Sequence, residues 1–128
     1  MWFTQEAGNK VGRIDREGVI AEFPVPRAQA DVILAGLAFD GEGNLWVQQY
    51  ADPNNPPPGG GPGGPDHIVR IDRAALAAGP DALATAGMTF YPVPTRGTVM
   101  HRIIRGPGGA MWFTEMHADR LGRIYPGR

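Results

Sequence analysis

Cysteine and serine are both absent from the 128 residues. The first absence excludes a disulfide framework, a thiolate metal site and a cysteine nucleophile; the second excludes Ser-His-Asp chemistry. Lys10 is the only lysine, so Schiff-base chemistry would have to use it. There is no surplus of charge of either sign, because twelve Lys and Arg stand against thirteen Asp and Glu and the arginines are scattered along the chain. That balance leaves nothing to neutralise phosphates, and no nucleic-acid partner is expected. Long hydrophobic runs are missing too. The longest, Val32 to Phe39, is far too short to cross a bilayer, so no membrane partner is expected. Met1 is followed at once by Trp-Phe-Thr-Gln-Glu, without the basic region and apolar segment of a signal peptide, and the expectation is the cytoplasm rather than secretion.

Glycine and proline are abundant, at 32 of 128 residues. Such a level fits either low complexity or an all-β chain with many turns, and internal repeats decide for the second. Met1-Trp-Phe-Thr-Gln returns as Met111-Trp-Phe-Thr-Glu and more loosely as Leu45-Trp-Val-Gln-Gln. Val11-Gly-Arg-Ile-Asp returns as Val69-Arg-Ile-Asp and Leu121-Gly-Arg-Ile-Tyr, and Phe23-Pro-Val-Pro returns as Tyr91-Pro-Val-Pro. The tryptophans at 2, 46 and 112 are 44 and 66 residues apart, the longer interval holding two insertions. Without those insertions the period is 42 to 44 residues, that of a four-stranded propeller blade.

The expected fold is therefore all-β, with propeller blades of four antiparallel strands. The chain reads as one partial domain over 1–128, of about two and a half to three blades, with units at about 1–31, 32–95 and 96–128. Strand A is expected at Ala35 to Phe39 and His101 to Gly106, strand B at Asn44 to Gln49 and Ala110 to Glu115, strand C at Ile68 to Asp72, and strand D at Val19 to Phe23 and Thr89 to Val93. Asp40-Gly-Glu-Gly and Gly106-Pro-Gly-Gly supply the A–B turns. The first insertion, 51–66, is rich in Pro and Gly and reads as a flexible loop emerging on the same face as the end of strand B, either a substrate lid or a tolerated insertion. The second, from Arg73 to Ala84, reads as a helical turn or two broken at Gly79-Pro80.

These repeats resemble those of the virginiamycin B lyase (streptogramin B lyase) family, a seven-bladed propeller whose recurring pattern is GPDGxLWFTE, NxIGRI and ITEFPVP. The resemblance covers most of the chain outside the insertions. It implies a magnesium-assisted carbon–oxygen lyase that linearises a cyclic depsipeptide antibiotic, with a histidine opening one strand A paired to the Glu that closes the next Trp-Phe-Thr-Glu. His101 and Glu115 have that spacing, which makes them the catalytic candidates, and makes Glu115 the candidate Mg2+ ligand. One departure stands at Val99, where family enzymes carry a second magnesium-ligating Glu. His117 and Asp119, just past Glu115, are further candidate contributors to a cation.

The hairpin gives its own reason for pairing these two residues. If Gly106 pairs with Ala110 across Pro107-Gly-Gly, the register carried down the strands sets His101 opposite Glu115. Directly opposed residues have Cα atoms roughly 4.5–5.5 Å apart, close enough to share a proton, a water or a metal. The same register sets Ala35 opposite Gln49. His67 and the three tryptophans read as structural. Two functions stand: the lyase, or a non-catalytic propeller segment serving as scaffold or binding surface. A partial ring also implies a homo-oligomer, or the remainder of a longer propeller, to cover its outer blades.

Overall fold

The computed structural model describes residues 1–29, 31–52, 65–80 and 87–126. Among them are ten strands in three antiparallel sheets of three, four and three strands. The first sheet holds β1 (Trp2–Gln5), β2 (Lys10–Ile14) and β3 (Ile20–Pro24). The second holds β4 (Val32–Phe39), β5 (Leu45–Ala51), β6 (His67–Ile71) and β7 (Met88–Pro92). The third holds β8 (Met100–Arg105), β9 (Met111–Glu115) and β10 (Arg120–Ile124). Within every sheet the spatial order is the chain order, the meander that makes a propeller blade. The first blade has the equivalents of strands B, C and D, and the third those of A, B and C. Between β6 and β7, helix α1 spans Arg73–Ala78 and ends at Gly79, whose φ of 93° the absence of a Cβ permits. Residues 53–64, the bulk of the Pro/Gly insertion, lie outside the described residues, and the expectations of flexibility and of a lid fall there.

The core lies between blades. Alternation in each strand gives it two apolar faces, and every blade but the outermost faces needs a neighbour on both sides. Val11 and Phe23 of the first blade pack with Leu34, Leu45, Val47, Val69 and Ile71 of the second. On the opposite face of that blade Trp46 and Ile68 pack with Met100, Ile103, Met111 and Phe113 of the third.

Each blade also repeats a stack of aromatic, arginine and aromatic. Arg13 lies over Trp2 and Phe23 at 5.5 and 5.6 Å, and Arg70 lies 6.0 Å from both Trp46 and Tyr91. Among the described residues the third blade has three strands, and Tyr125, just after β10, supplies the second ring: Arg123 sits 5.3 Å from Trp112 and 4.9 Å from Tyr125. This cation–π pattern gives the arginine of the recurring Arg-Ile pair in each blade a packing role beside the tryptophan of the preceding strand.

Candidate active site at the end of the third blade

The β8–β9 hairpin begins as its turn dictates. Gly108 and Gly109 take φ values of 71° and 76° that only glycine adopts freely, and Gly106 N–H donates to the Ala110 carbonyl at 2.8 Å. Arg105, Ile104 and Ile103 then face Met111, Trp112 and Phe113. Past Ile103 the register shifts, and Met100, not His101, faces Glu115. The expected direct opposition of His101 and Glu115 is thus corrected by a β-bulge in which His101 and Arg102 together span Thr114.

The bulge has a physical cause in side chains. Arg102 N–H donates to Thr114 Oγ1 at 3.0 Å, and the Arg102 carbonyl accepts from Gln48 Nε2 of the second blade at 2.8 Å. Side-chain groups thereby satisfy the backbone that a bulge leaves unpaired. The second blade repeats it. There Leu34, not Ala35, faces Gln49, the register shifts before Leu37, and Gly36 N–H donates to Gln48 Oε1 at 3.0 Å. Beyond the bulge Val32 and Ile33 pair with Ala51 and Tyr50, so β4 starts at Val32, three residues before the position expected from alternation.

Burial then separates the two candidates. His101 is exposed, whereas Glu115 is 4% exposed and its Oε1 is buried without a hydrogen-bond partner. The orphan follows from the repeat. In the second blade the equivalent Gln49 donates through Nε2 to Asn9 Oδ1 at 2.9 Å and to the Pro26 carbonyl at 3.0 Å, and accepts from Ala28 N–H at 3.2 Å. Asp66 occupies the place of Asn9, as the matching bonds from Val25 N–H to the Asn9 carbonyl and from Val93 N–H to the Asp66 carbonyl show, both 2.8 Å. Its carboxylate is already engaged by Ala51 N–H at 2.9 Å and by the backbone and hydroxyl of Thr98 at 3.1 and 2.6 Å. A carboxyl group lacks the amide N–H through which Gln49 donates.

His101 and Glu115 nevertheless line one cleft of about 450 Å³, with Arg102, Thr114 and Asp119. His101 and Arg102 also border a second cleft of about 560 Å³ on the inner side of the blades, with Thr4, Glu6 and Tyr50. Burial pushes the Tyr50 hydroxyl above its usual pKa, and the carboxylates of Glu6, Asp52 and Asp66 push it the same way, so it stays protonated. Sequence reasoning missed Tyr50, Glu6 and Arg102. Only Arg102 left a signal, as the neighbour of His101 at the place where the second unit has Gly36.

Asp119 takes a left-handed φ of 52°, and Val99 one of 44°. The carbonyls of Thr98 and Val99 accept from His117 and Met116 N–H at 2.9 and 3.2 Å, which fixes the 116–118 turn over the start of β8. The feet of the first insertion, Ala51 and Asp66, are tied together at this same end of the blades. A magnesium ion takes about six oxygens, commonly one or two carboxylates with waters for the rest, and a site with more protein ligands would gather several such groups at one point. Among the described residues no three His, Asp or Glu converge so, and the free oxygen of Glu115 is a single donor. Among the described residues Glu115 and Asp119 border one cleft but belong to no cluster of three candidate ligands, so Glu115 alone would hold magnesium poorly.

No family model and no curated protein matches the sequence. Solved structures do. The fold is similar to a streptogramin B lyase structure, with a TM-score of 0.68 and 26% identity over 98% of this chain and 33% of that one. It is also similar to a catalytically inactive histidine-to-alanine variant of virginiamycin B lyase from Staphylococcus aureus solved with quinupristin, with a TM-score of 0.65 and 28% identity over 98% of this chain and 34% of that one. The chain spans about a third of the length of these solved structures. Its blades are similar in fold to those of these lyase structures.

Proposed function

We propose that this stretch of propeller bears the proton-abstracting part of a carbon–oxygen lyase site that opens a cyclic depsipeptide by elimination. One observation carries the reading: an exposed imidazole and a buried carboxylate with a free oxygen border one cleft at the end of a blade shared with lyase structures. That a histidine-to-alanine variant of one such lyase is inactive supports a histidine base.

His101, as neutral imidazole, takes the proton from the carbon α to a carbonyl. The electron pair of the broken C–H bond forms a double bond to the β carbon, and the C–O bond there breaks, releasing the ester carboxylate. No water is added and the ring is open. Glu115, bordering the same cleft, is the carboxylate placed to balance the imidazolium that forms. The absence of serine and cysteine agrees with a route without an acyl-enzyme.

Incubation with a streptogramin B should give a linear product of unchanged mass, and a product heavier by one water would show hydrolysis and discard the mechanism. His101→Ala should lower turnover by about 100-fold or more while leaving the circular dichroism unchanged, since an exposed histidine contributes little to the core. The second reading is a non-catalytic segment. It is favoured by the bulge, which moves His101 out of direct opposition to Glu115, and by the incomplete cation site.

A further inference from the structure

We infer that Arg102 supplies the positive charge this elimination needs, in place of a divalent cation. The inference rests on the elimination reading above. Abstraction of a proton α to a carbonyl builds negative charge on the carbonyl oxygen, and where no cluster of three metal ligands stands among the described residues a fixed cation can meet it. Neither the Lys10–Glu22 nor the Arg70–Asp72 ion pair involves Arg102, and its side chain is exposed. It is the one residue that borders all three clefts around the hairpin, and it shares two of them with His101.

The bulge makes the placement specific. In a regular strand, consecutive side chains point to opposite faces. A bulge that sets two residues against one brings His101 and Arg102 to the same clefts. Three bonds hold the Arg102 backbone there: its N–H to Thr114 Oγ1 at 3.0 Å, and its carbonyl from Gln48 Nε2 at 2.8 Å and Thr114 Oγ1 at 3.5 Å. The stem is anchored between two blades while the guanidinium is free to reach a ligand. A guanidinium stays charged at any working pH and offers two parallel N–H groups to a carboxylate or a developing enolate oxygen. The equivalent bulge of the second blade carries Gly36, where a Cβ would lie 2.9 Å from Gln48 Oε1 and 3.1 Å from the His101 carbonyl, so no side chain competes for the space.

The test is turnover of a streptogramin B by the purified chain in EDTA and in millimolar Mg2+. Equal turnover in both buffers, a fall in kcat of about 100-fold or more for Arg102→Ala, partial recovery in Arg102→Lys and further recovery of Arg102→Ala by millimolar guanidinium would support the assignment. Turnover that EDTA abolishes and Mg2+ restores would overturn it while leaving the elimination reading intact. So would an Arg102→Ala protein of wild-type kcat. No turnover in either buffer would overturn both.

Discussion

Asp40 organises the first turn of the second blade single-handed. One carboxylate oxygen accepts from Glu42 and Asn44 N–H at 2.8 and 3.0 Å, the other from Asn44 Nδ2 at 3.0 Å and from the buried indole of Trp46 at 2.8 Å. Burial alone would raise its pKa, but the bonds from Trp46, Asn44 and Glu42 together outweigh burial and hold it below the usual carboxylate value. A carboxyl whose folded pKa is depressed stabilises the protein above its unfolded value and loses that contribution as pH falls through the folded one. Asp40→Asn turns an amide donor toward donors, and should lower stability at pH 7 by about 1–3 kcal/mol in urea unfolding. The deficit should shrink as pH falls below the ordinary carboxylate range and through the lower folded value, where the wild-type carboxyl also protonates. A deficit that is the same at pH 7 and pH 2.5 would show that charge has no part in it. The third blade has Gly106 at the equivalent place, and there Trp112 Nε1 is buried without a partner. Asp40 was legible as a turn residue from Asp-Gly-Glu-Gly. The orphaned oxygen of Glu115 was not, because it depends on Asp66 and Thr98 of a neighbouring blade and its turn.

At the scale of elements, strand content and the hairpin turn followed from alternation and from Pro107-Gly-Gly, and the register held down to Ile103. The bulge escaped because nothing within β8 demands it. Its stabilising groups are Thr114 across the hairpin and Gln48 across a blade boundary, and both look like ordinary strand residues. The same device in β4 gives a sharp test. At Gly36 an added Cβ would meet Gln48 Oε1 at 2.9 Å, the His101 carbonyl at 3.1 Å and Ile103 N at 3.1 Å. Two of these are backbone atoms of the next blade, so the strain cannot be relieved by a rotamer change alone. Gly36→Ala should therefore cost about 1–3 kcal/mol, a price in packing that an alanine in a regular strand would not carry. The measurement is the urea midpoint at constant slope, and an unchanged midpoint would mean the two blades approach less closely than these distances.

For the whole molecule, the repeats made the blades legible, while the joints between them were hidden in residues that look unremarkable one blade at a time. Thr4 Oγ1 donates to the Ala35 carbonyl at 2.9 Å, and Gln48 Nε2 to the Arg102 carbonyl at 2.8 Å. Each bond joins the middle of one blade's strand B to the bulge of the next, so blade stacking and bulge geometry are one feature. Among the described residues the third blade packs against the second. Ile103 is 4% exposed against the second blade, whereas its sequence neighbour Ile104 is 61% exposed on the other face, beside Leu121 at 71%. Truncating the first leaves a cavity among Met100, Met111 and Phe113, and Ile103→Ala should cost about 2–5 kcal/mol. Ile104→Ala removes a side chain that water already surrounds, and should change stability by about 0.5 kcal/mol or less. Urea unfolding of both variants at several protein concentrations separates one covered face from two. A large, concentration-dependent loss for Ile104→Ala would mean that a second chain covers the outer face, because only an intermolecular contact makes stability depend on protein concentration.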